Sequence, residues 1–315
     1  MLNLHPPAAK PAAETAWIDL LIPTEEEIHL VEAFTGHDLP TLDDLSAIER
    51  SSQLIVDGDK LQLSCPVVVD ADTDQPSLSH AGIILTPKLL VTVRYGALKS
   101  FDVTAARACP PGHTNDAIEI FTSLMEAFVD RQADVLETAR EQLDEISHGV
   151  FRASPQQLRK VSRSNTQLRA LLGRLGRIGE RISIIRDGML GVGRIAGFAQ
   201  ETAKAWIAPE YLTRLKAVGL DIDSLNLFEE HLSNKVQFLL DAIVGFIGIE
   251  QNDIFKVLTV FSVVGIFPTL VAGWYGMNFH NMPEYGWAYG YQFGIGAIVL
   301  STIIPLVWFK FRGWL

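Results

Sequence analysis

Two uncharged runs near the C-terminal end constrain this chain more than any other feature. Residues 257–275 are nineteen in a row without a charge, and residues 291–309 are nineteen more. As helices rising about 1.5 Å per residue, each can cross a hydrocarbon core of about 30 Å. Core helices of soluble domains can be as apolar, but two such runs in tandem are rare there, so the pair predicts a transmembrane hairpin. The linker 276–290 has no Lys or Arg, whereas Lys256 precedes the first run and Lys310 and Arg312 follow the second. Positive residues stay on the cytoplasmic side. The expectation is a multi-pass protein of the inner or plasma membrane with both termini cytoplasmic. Trp274, Tyr275, Trp287, Tyr289 and Tyr291 would form one interfacial belt, and Trp308 and Trp314 the other.

The remaining 250 or so residues are long enough for a sizeable soluble core. Residues 1–250 carry 35 acidic and 23 basic side chains, a net of −12 in a chain whose total is −11. That balance argues against nucleic acid or anionic lipid as the partner of this region and suits a surface that handles cations, although mild acidity is common in soluble domains. Cys65 and Cys109 lie at no metal-ligand spacing and read as packing residues in a reducing compartment. No nucleophile–base pair, phosphate loop or metal cluster appears, so an enzyme is not expected.

In chain order, residues 1–14, rich in Pro and Ala, read as a disordered arm. Residues 15–110 read as an α/β domain with a mainly antiparallel sheet. Within it, 16–22 is strand-like and Thr24 with Glu27 is a capped helix start. Thr41 with Asp44 opens another short helix. Asp57-Gly58-Asp59 and Thr86-Pro87-Lys88 each separate a pair of strand-like runs as hairpin turns. Residues 111–223 read as a helical hairpin region. Its first helix, 114–146, is acidic on its polar face, and its second, 156–186, is basic, with a break between them at 149–155. Two such helices should pair antiparallel with complementary charge. A basic stripe could also grip nucleic acid, but it lacks interleaved aromatics. Gly191-Val192-Gly193-Arg194-Ile195-Ala196 fits a loose dinucleotide pattern; without a preceding strand it predicts an inter-helix connection instead.

From about residue 224 the apolar spacing runs without a strong break into the first span, predicting one helix over 224–275, about 75 Å long. Residues 276–290 are then an extracytoplasmic loop, 291–309 the second span and 310–315 a basic tail.

The residues at this end carry a resemblance. Tyr275-Gly276-Met277-Asn278-Phe279 and Met282-Pro283-Glu284 stand between two C-terminal spans, preceded by Phe246-Ile247-Gly248-Ile249-Glu250-Gln251-Asn252 and by Pro268-Thr269-Leu270-Val271-Ala272. This set resembles the CorA magnesium channels over roughly residues 225–315, with the N-terminal region similar in order and length of elements only. The resemblance implies a funnel-shaped homopentamer of an α+β membrane protein, with the first span of each chain lining one pore. Carried over, the pore face would be Asp241, Asn252, Phe255, Leu258, Ser262, Ile266, Thr269 and Gly273, with Gly276, Met277 and Asn278 as selectivity filter. It also implies regulation by cytoplasmic Mg2+, for which Asp221, Asp223, Glu229 and Glu230 are the nearby candidates. His280 stands where relatives often have an acid, and the second cytoplasmic helix is basic where theirs is often acidic.

The chemistry suits those residues. Magnesium holds six waters and sheds them reluctantly, so a ring of Asn278 carboxamide oxygens could accept hydrogen bonds from the hydrated ion without stripping it. A Gly-Asn turn that merely ends a helix is the plainer reading of the same residues. Leu258 and Ile266 would form apolar constrictions able to close by dewetting. Glu284 could draw cations to the outer mouth, and Lys256, Lys310 and Arg312 would form a basic neck. The implied activity is uptake of Mg2+, with Co2+ and Ni2+, driven by the membrane potential and using no organic cofactor. Its partners are further copies of the chain, the lipid bilayer and divalent cations, with no nucleic acid. The alternatives are a zinc transporter of the same superfamily and a non-conducting membrane-anchored sensor or scaffold.

Overall fold

The computed structural model describes residues 1–8, 10–46, 54–69, 76–109, 116–151, 165–277 and 282–314. They form two compact units, one of Met1–Ala153 with Ala170–Leu240 and one that takes in Asp241–Leu315.

The first unit is built on a six-stranded sheet of order β1-β2-β6-β5-β4-β3. Its strands are β1 (Leu2–His5), β2 (Trp17–Leu21), β3 (Leu54–Asp57), β4 (Lys60–Val69), β5 (Ser77–Leu85) and β6 (Leu90–Arg94). Only β2 and β6 pair in parallel; the other neighbours are antiparallel. Both expected hairpins form, with Asp57 opposite Lys60 and Leu85 opposite Leu90. Residues Leu2–His5, expected in a disordered arm, instead pair with β2 at the sheet edge, because Leu4 reaches the core between prolines and alanines that dominate the local composition.

Alternation along β2 splits the core in two. Ile18 and Leu20 join Val31, Leu39, Val91 and Val93 in one apolar cluster. Val31 belongs to α1 (Glu25–Thr35), which starts in a full capping box: Glu27 N–H donates to Thr24 Oγ1, and Thr24 N–H to the Glu27 carboxylate. The short α2 (Leu42–Ser46) is capped in the same way by Thr41 and Asp44. Trp17 belongs to the second cluster. Its ring lies 6.0 Å from Phe101 of α3 (Lys99–Ala108), which meets Phe128 of α4 (Ala117–Phe151) edge-on at 5.8 Å. A buried polar chain crosses this region. Trp17 Nε1 donates to Thr92 Oγ1, Thr92 Oγ1 to Asp19, and the Arg94 guanidinium forks onto the same carboxylate at 2.8 and 3.1 Å while lying over Phe101. Removing either charge would strand the other in the core, at a cost of about 3–5 kcal/mol.

Three long helices follow α3: α4, α5 (Asn165–Thr202) and α6 (Pro209–Tyr275). Gly149 lies inside α4, and residues 152–164 lie outside the described residues. The glycine pattern at 191–196 is not a connection: it is mid-helix in α5. A Cβ on Gly191 would come within 2.2 Å of Pro66 Cγ on β4, and one on Gly188 within 3.0 Å of Gln132. Those glycines let α5 lie close against the sheet edge, which a helix with side chains there could not do. The acidic face of α4 is shared. Glu145 pairs with Arg174 of α5 at 2.7 Å, while Glu126 and Asp144 pair with Arg214 and Lys235 of α6 at 2.7 and 2.6 Å. Charge complementarity thus holds α6 as well as the basic helix.

Helix α6 begins fifteen residues before the expected position. Pro209 stands at its first position, where the missing N–H costs nothing. In the second unit, α6 ends at Tyr275, a 3-10 turn spans Pro283–Gly286, and α7 runs Gly290–Phe311. The segments of α6 and α7 that are apolar enough to cross a membrane are each only 6% buried.

Candidate pore and selectivity residues

The carried-over pore residues share one face of α6. At about 100° per residue, Asp241, Asn252, Phe255, Leu258, Ser262, Ile266, Thr269 and Gly273 fall in a sector of about 120°. All but Ser262, which is half-buried, are exposed, with Phe255 at 65% and Ile266 at 53%. The opposite side is the one covered within the chain. Val260, Val264, Pro268, Val271 and Tyr275 lie there, buried or half-buried. Helix α7 also buries one line, from Gly294 through Ile298, Ser301 and Pro305 to Phe309, and leaves Val299, Leu300, Ile303 and Ile304 exposed.

Prolines in both spans fall on these covered lines. Pro268 removes an N–H from α6, and Pro305 does so in α7. Hydroxyls near them satisfy helix carbonyls. Thr269 Oγ1 donates to Ile266 O at 2.8 Å and to Gly265 O at 3.1 Å, and Thr302 Oγ1 donates to Ile298 O at 3.0 Å. These bonds satisfy the hydroxyls along the helix; the carbonyls that lose a donor to the prolines are those of Val264 and Ser301, four residues back.

At the end of α6 the Gly276 N–H donates to Ala272 O at 2.9 Å. A Cβ on Gly276 would sit 3.2 Å from that oxygen, so the glycine makes room beside the final carbonyls of the helix. Met277 is half-buried. Asn278, the central residue of the expected filter, and His280 lie outside the described residues. Glu284 falls in the 3-10 turn.

Taken with this architecture, one comparison decides the family. The family of CorA-like Mg2+ transporter proteins matches residues 12–310. The chain belongs to it.

Among relatives, it is 31% identical to the magnesium transport protein CorA of Pasteurella multocida over 303 residues, 95% of this chain and 92% of that one. It is 29% identical to the CorA of Escherichia coli K12, over 100% of this chain and 96% of the relative. The complete structure of the CorA magnesium transporter from Methanocaldococcus jannaschii superposes with a TM-score of 0.77, covering 95% of this chain and 91% of that one at 15% identity. That likeness establishes the fold: a soluble α/β domain, long helices and two apolar C-terminal helices.

Within this CorA-family chain the four regulatory candidates do not converge. Among the described residues no three His, Cys, Asp or Glu side chains could hold one metal ion. Asp221 and Asp223, two residues apart on a helix, face nearly opposite ways. Glu229 is buried and accepts a hydrogen bond from Ser233 Oγ at 2.8 Å. Asp223 and Glu230 are exposed and share the sector of Asp241. The three cations expected at the neck also differ. Lys256 is paired with Asp253 at 2.8 Å, whereas Lys310 and Arg312 have no carboxylate within ion-pair distance among the described residues. Two features escaped the sequence reading: the cations Arg214 and Lys235 that bind α6 to α4, and the close-packed Gly188 and Gly191. Pro209-Glu210 was a readable helix start that would have brought Arg214 into α6.

Proposed function

We propose that this CorA-family chain forms a channel for Mg2+ across the inner or plasma membrane, assembled as a funnel-shaped homopentamer with both termini cytoplasmic. The observation that carries the reading is the exposed sector of α6. From Asp241 to Gly273 it holds polar and apolar residues in turn, opposite the side covered within the chain. Brought together around an axis, five such faces enclose a path with a carboxylate ring at Asp241, amide or hydroxyl rings at Asn252, Ser262 and Thr269, and apolar rings at Leu258 and Ile266. Narrow apolar rings gate by dewetting, and polar rings between them hold a hydrated ion.

Gly276, Met277 and Asn278 form the outer filter in this reading. The carboxamides of Asn278 accept hydrogen bonds from the hydration shell, and Glu284 raises the local cation concentration at the mouth. Entry needs no nucleotide: a double charge gains roughly 4.6 kcal/mol per 100 mV of inside-negative potential. Co2+ and Ni2+, with radii and hydration close to those of Mg2+, follow the same path. Cytoplasmic Mg2+ closes the channel by bridging acidic side chains between chains. Asp221, Asp223 and Glu230 are the exposed candidates, with Asp223 and Glu230 on one side of α6 and Asp221 on nearly the opposite one; Glu229, already hydrogen-bonded to Ser233, is the weakest. Lys256, Lys310 and Arg312 form the basic neck.

Metal-dependent uptake into proteoliposomes tests the proposal, with Mg2+, Co2+, Ni2+ and Zn2+ compared. The proposal requires Mg2+ uptake that slows when the potential is collapsed. It also requires that Asn278→Ala remove uptake while the oligomer elutes unchanged on size exclusion. No ion flux from a well-assembled protein identifies a sensor or scaffold instead, and flux of Zn2+ without Mg2+ identifies a zinc transporter.

A further inference from the structure

The end of α7 is a built turn. Gly313 has a left-handed φ of 69°; its N–H donates to Lys310 O at 3.1 Å, and the Trp314 N–H donates back to Phe309 O at 3.0 Å. This pair of bonds is a Schellman motif, and the apolar contact that usually accompanies it is present: Trp314 stacks on Phe309 at 5.4 Å and 25°. Phe309 meets Trp308 edge-on at 5.0 Å, and the Arg312 guanidinium lies 5.4 Å from the Trp308 ring. Phe311 is 89% exposed. Two cations, Lys310 and Arg312, therefore project from a fixed aromatic cluster, both exposed and neither with a carboxylate within ion-pair distance among the described residues. Lys256, at the other end of the spans' basic flank, is by contrast paired with Asp253.

We infer that Lys310 and Arg312 bind the phosphate of an anionic phospholipid headgroup. This rests on the membrane reading above, which puts the cluster at the cytoplasmic interface, where tryptophans settle at headgroup depth and anionic lipids attract basic residues. Stacking on Trp308 orients the guanidinium, whose planar donors match phosphate oxygens. The Schellman turn holds Trp314 beside it, so the headgroup meets an ordered site rather than a frayed terminus. Bound phosphate neutralises two charges per chain that would otherwise face the cytoplasmic end of the spans.

The test uses the full chain in nanodiscs, with Trp274 and Trp287 replaced by Phe so that Trp308 and Trp314 are the tryptophans left in the second unit; Trp17 and Trp206 of the first unit give a background common to all discs. Phosphatidylcholine discs carry equal small fractions of either brominated phosphatidylglycerol or brominated phosphatidylcholine. The expected result is at least twofold stronger tryptophan quenching by the brominated anionic lipid. That preference should disappear in Lys310→Gln/Arg312→Gln and in 1 M NaCl, where the screening length is about 3 Å; the salt arm decides if the double variant fails to assemble. Millimolar inorganic phosphate should leave the preference intact. Equal quenching by both lipids, or a preference unchanged by the variant and by salt, overturns the inference. Loss of the preference to free phosphate assigns the site to a soluble anion and overturns it too. Quenching by neither lipid is a different outcome: it removes the membrane reading itself.

Discussion

Arg214 forks onto Glu126, Nη2 to Oε2 at 2.7 Å and Nε to Oε1 at 2.8 Å, with a further bond from Nη2 to Ser123 Oγ at 3.0 Å. The pair ties the second turn of α6 to the first half of α4, and the Glu126 carboxylate holds the guanidinium pKa above its usual value. Both side chains are about a third exposed, at 35% and 34%, so solvent screens the interaction. Arg214→Gln should cost about 1 kcal/mol. Denaturant titrations of the two single variants and the Glu126→Gln/Arg214→Gln pair would show a coupling of that order; additive effects would mean that the fork contributes nothing.

Gly191→Ala should be far more damaging than a helix-propensity scale suggests. Alanine normally favours a helix over glycine by about 1 kcal/mol, but here its Cβ would enter the Pro66 ring. Overpacking of this kind costs about 1–3 kcal/mol. Gly197→Ala, on the same helix with open space around it, should be neutral or stabilising. Thermal unfolding of the two variants side by side checks the opposite signs.

Both thiols should resist alkylation at neutral pH. Burial pushes Cys65 up to about 12, and burial together with Glu119 pushes Cys109 up to about 11. The thiolate is the reactive form, so at pH 8 no more than about a thousandth of either would be available in the folded protein. A raised folded pKa means that this protection is complete below the ordinary thiol pKa and fades as pH climbs toward 11. Ellman's reagent should therefore titrate neither cysteine at pH 8 until denaturant is added, with Cys109 responding first as pH rises.

The exposed sector of α6 makes a prediction that needs no transport assay. In a Cys65→Ala/Cys109→Ala background, which leaves one thiol per chain, Ile266→Cys or Thr269→Cys should cross-link pairs of copies under mild oxidation, giving a disulfide-linked dimer band on a non-reducing denaturing gel. Val260→Cys and Val264→Cys, on the covered side, should give monomer. Equal dimer yields from both sets would remove the assignment of the sector to the pore.

Much of this was legible in the chain itself, for physical reasons. Turn and cap chemistry is local, so Thr24, Thr41, Asp57-Gly58-Asp59 and Thr86-Pro87-Lys88 announced their elements directly. The spans declared themselves by length and lack of charge, whereas the set from Asp241 to Gly273 came from the resemblance, and the helical geometry of α6 places it in one sector. What stayed hidden depended on contacts between distant segments. Leu2 and Leu4 look like members of a Pro-rich arm until β2 is there to pair with them. Gly188 and Gly191 look like a helix breaker until Pro66 and Gln132 are seen against them. The acidic face of α4 appeared to await the basic helix alone, because nothing local to Arg214 or Lys235 says which carboxylate each will meet. The regulatory acids failed to converge for a similar reason: nearness in sequence at 221–230 spreads side chains around a helix rather than gathering them.

The two ion pairs between α6 and α4 lie 21 residues apart on α6, at Arg214 and Lys235. On a helix that is close to six full turns, so both cations project from nearly the same side. A beam pinned at two distant points cannot roll about its own long axis without pulling both pins. Any motion that leaves the pins in place must carry α4 and α6 together as one lever, and a twist of α6 alone must first draw Glu126 and Asp144 from their partners. Releasing one pin leaves a pivot at the other.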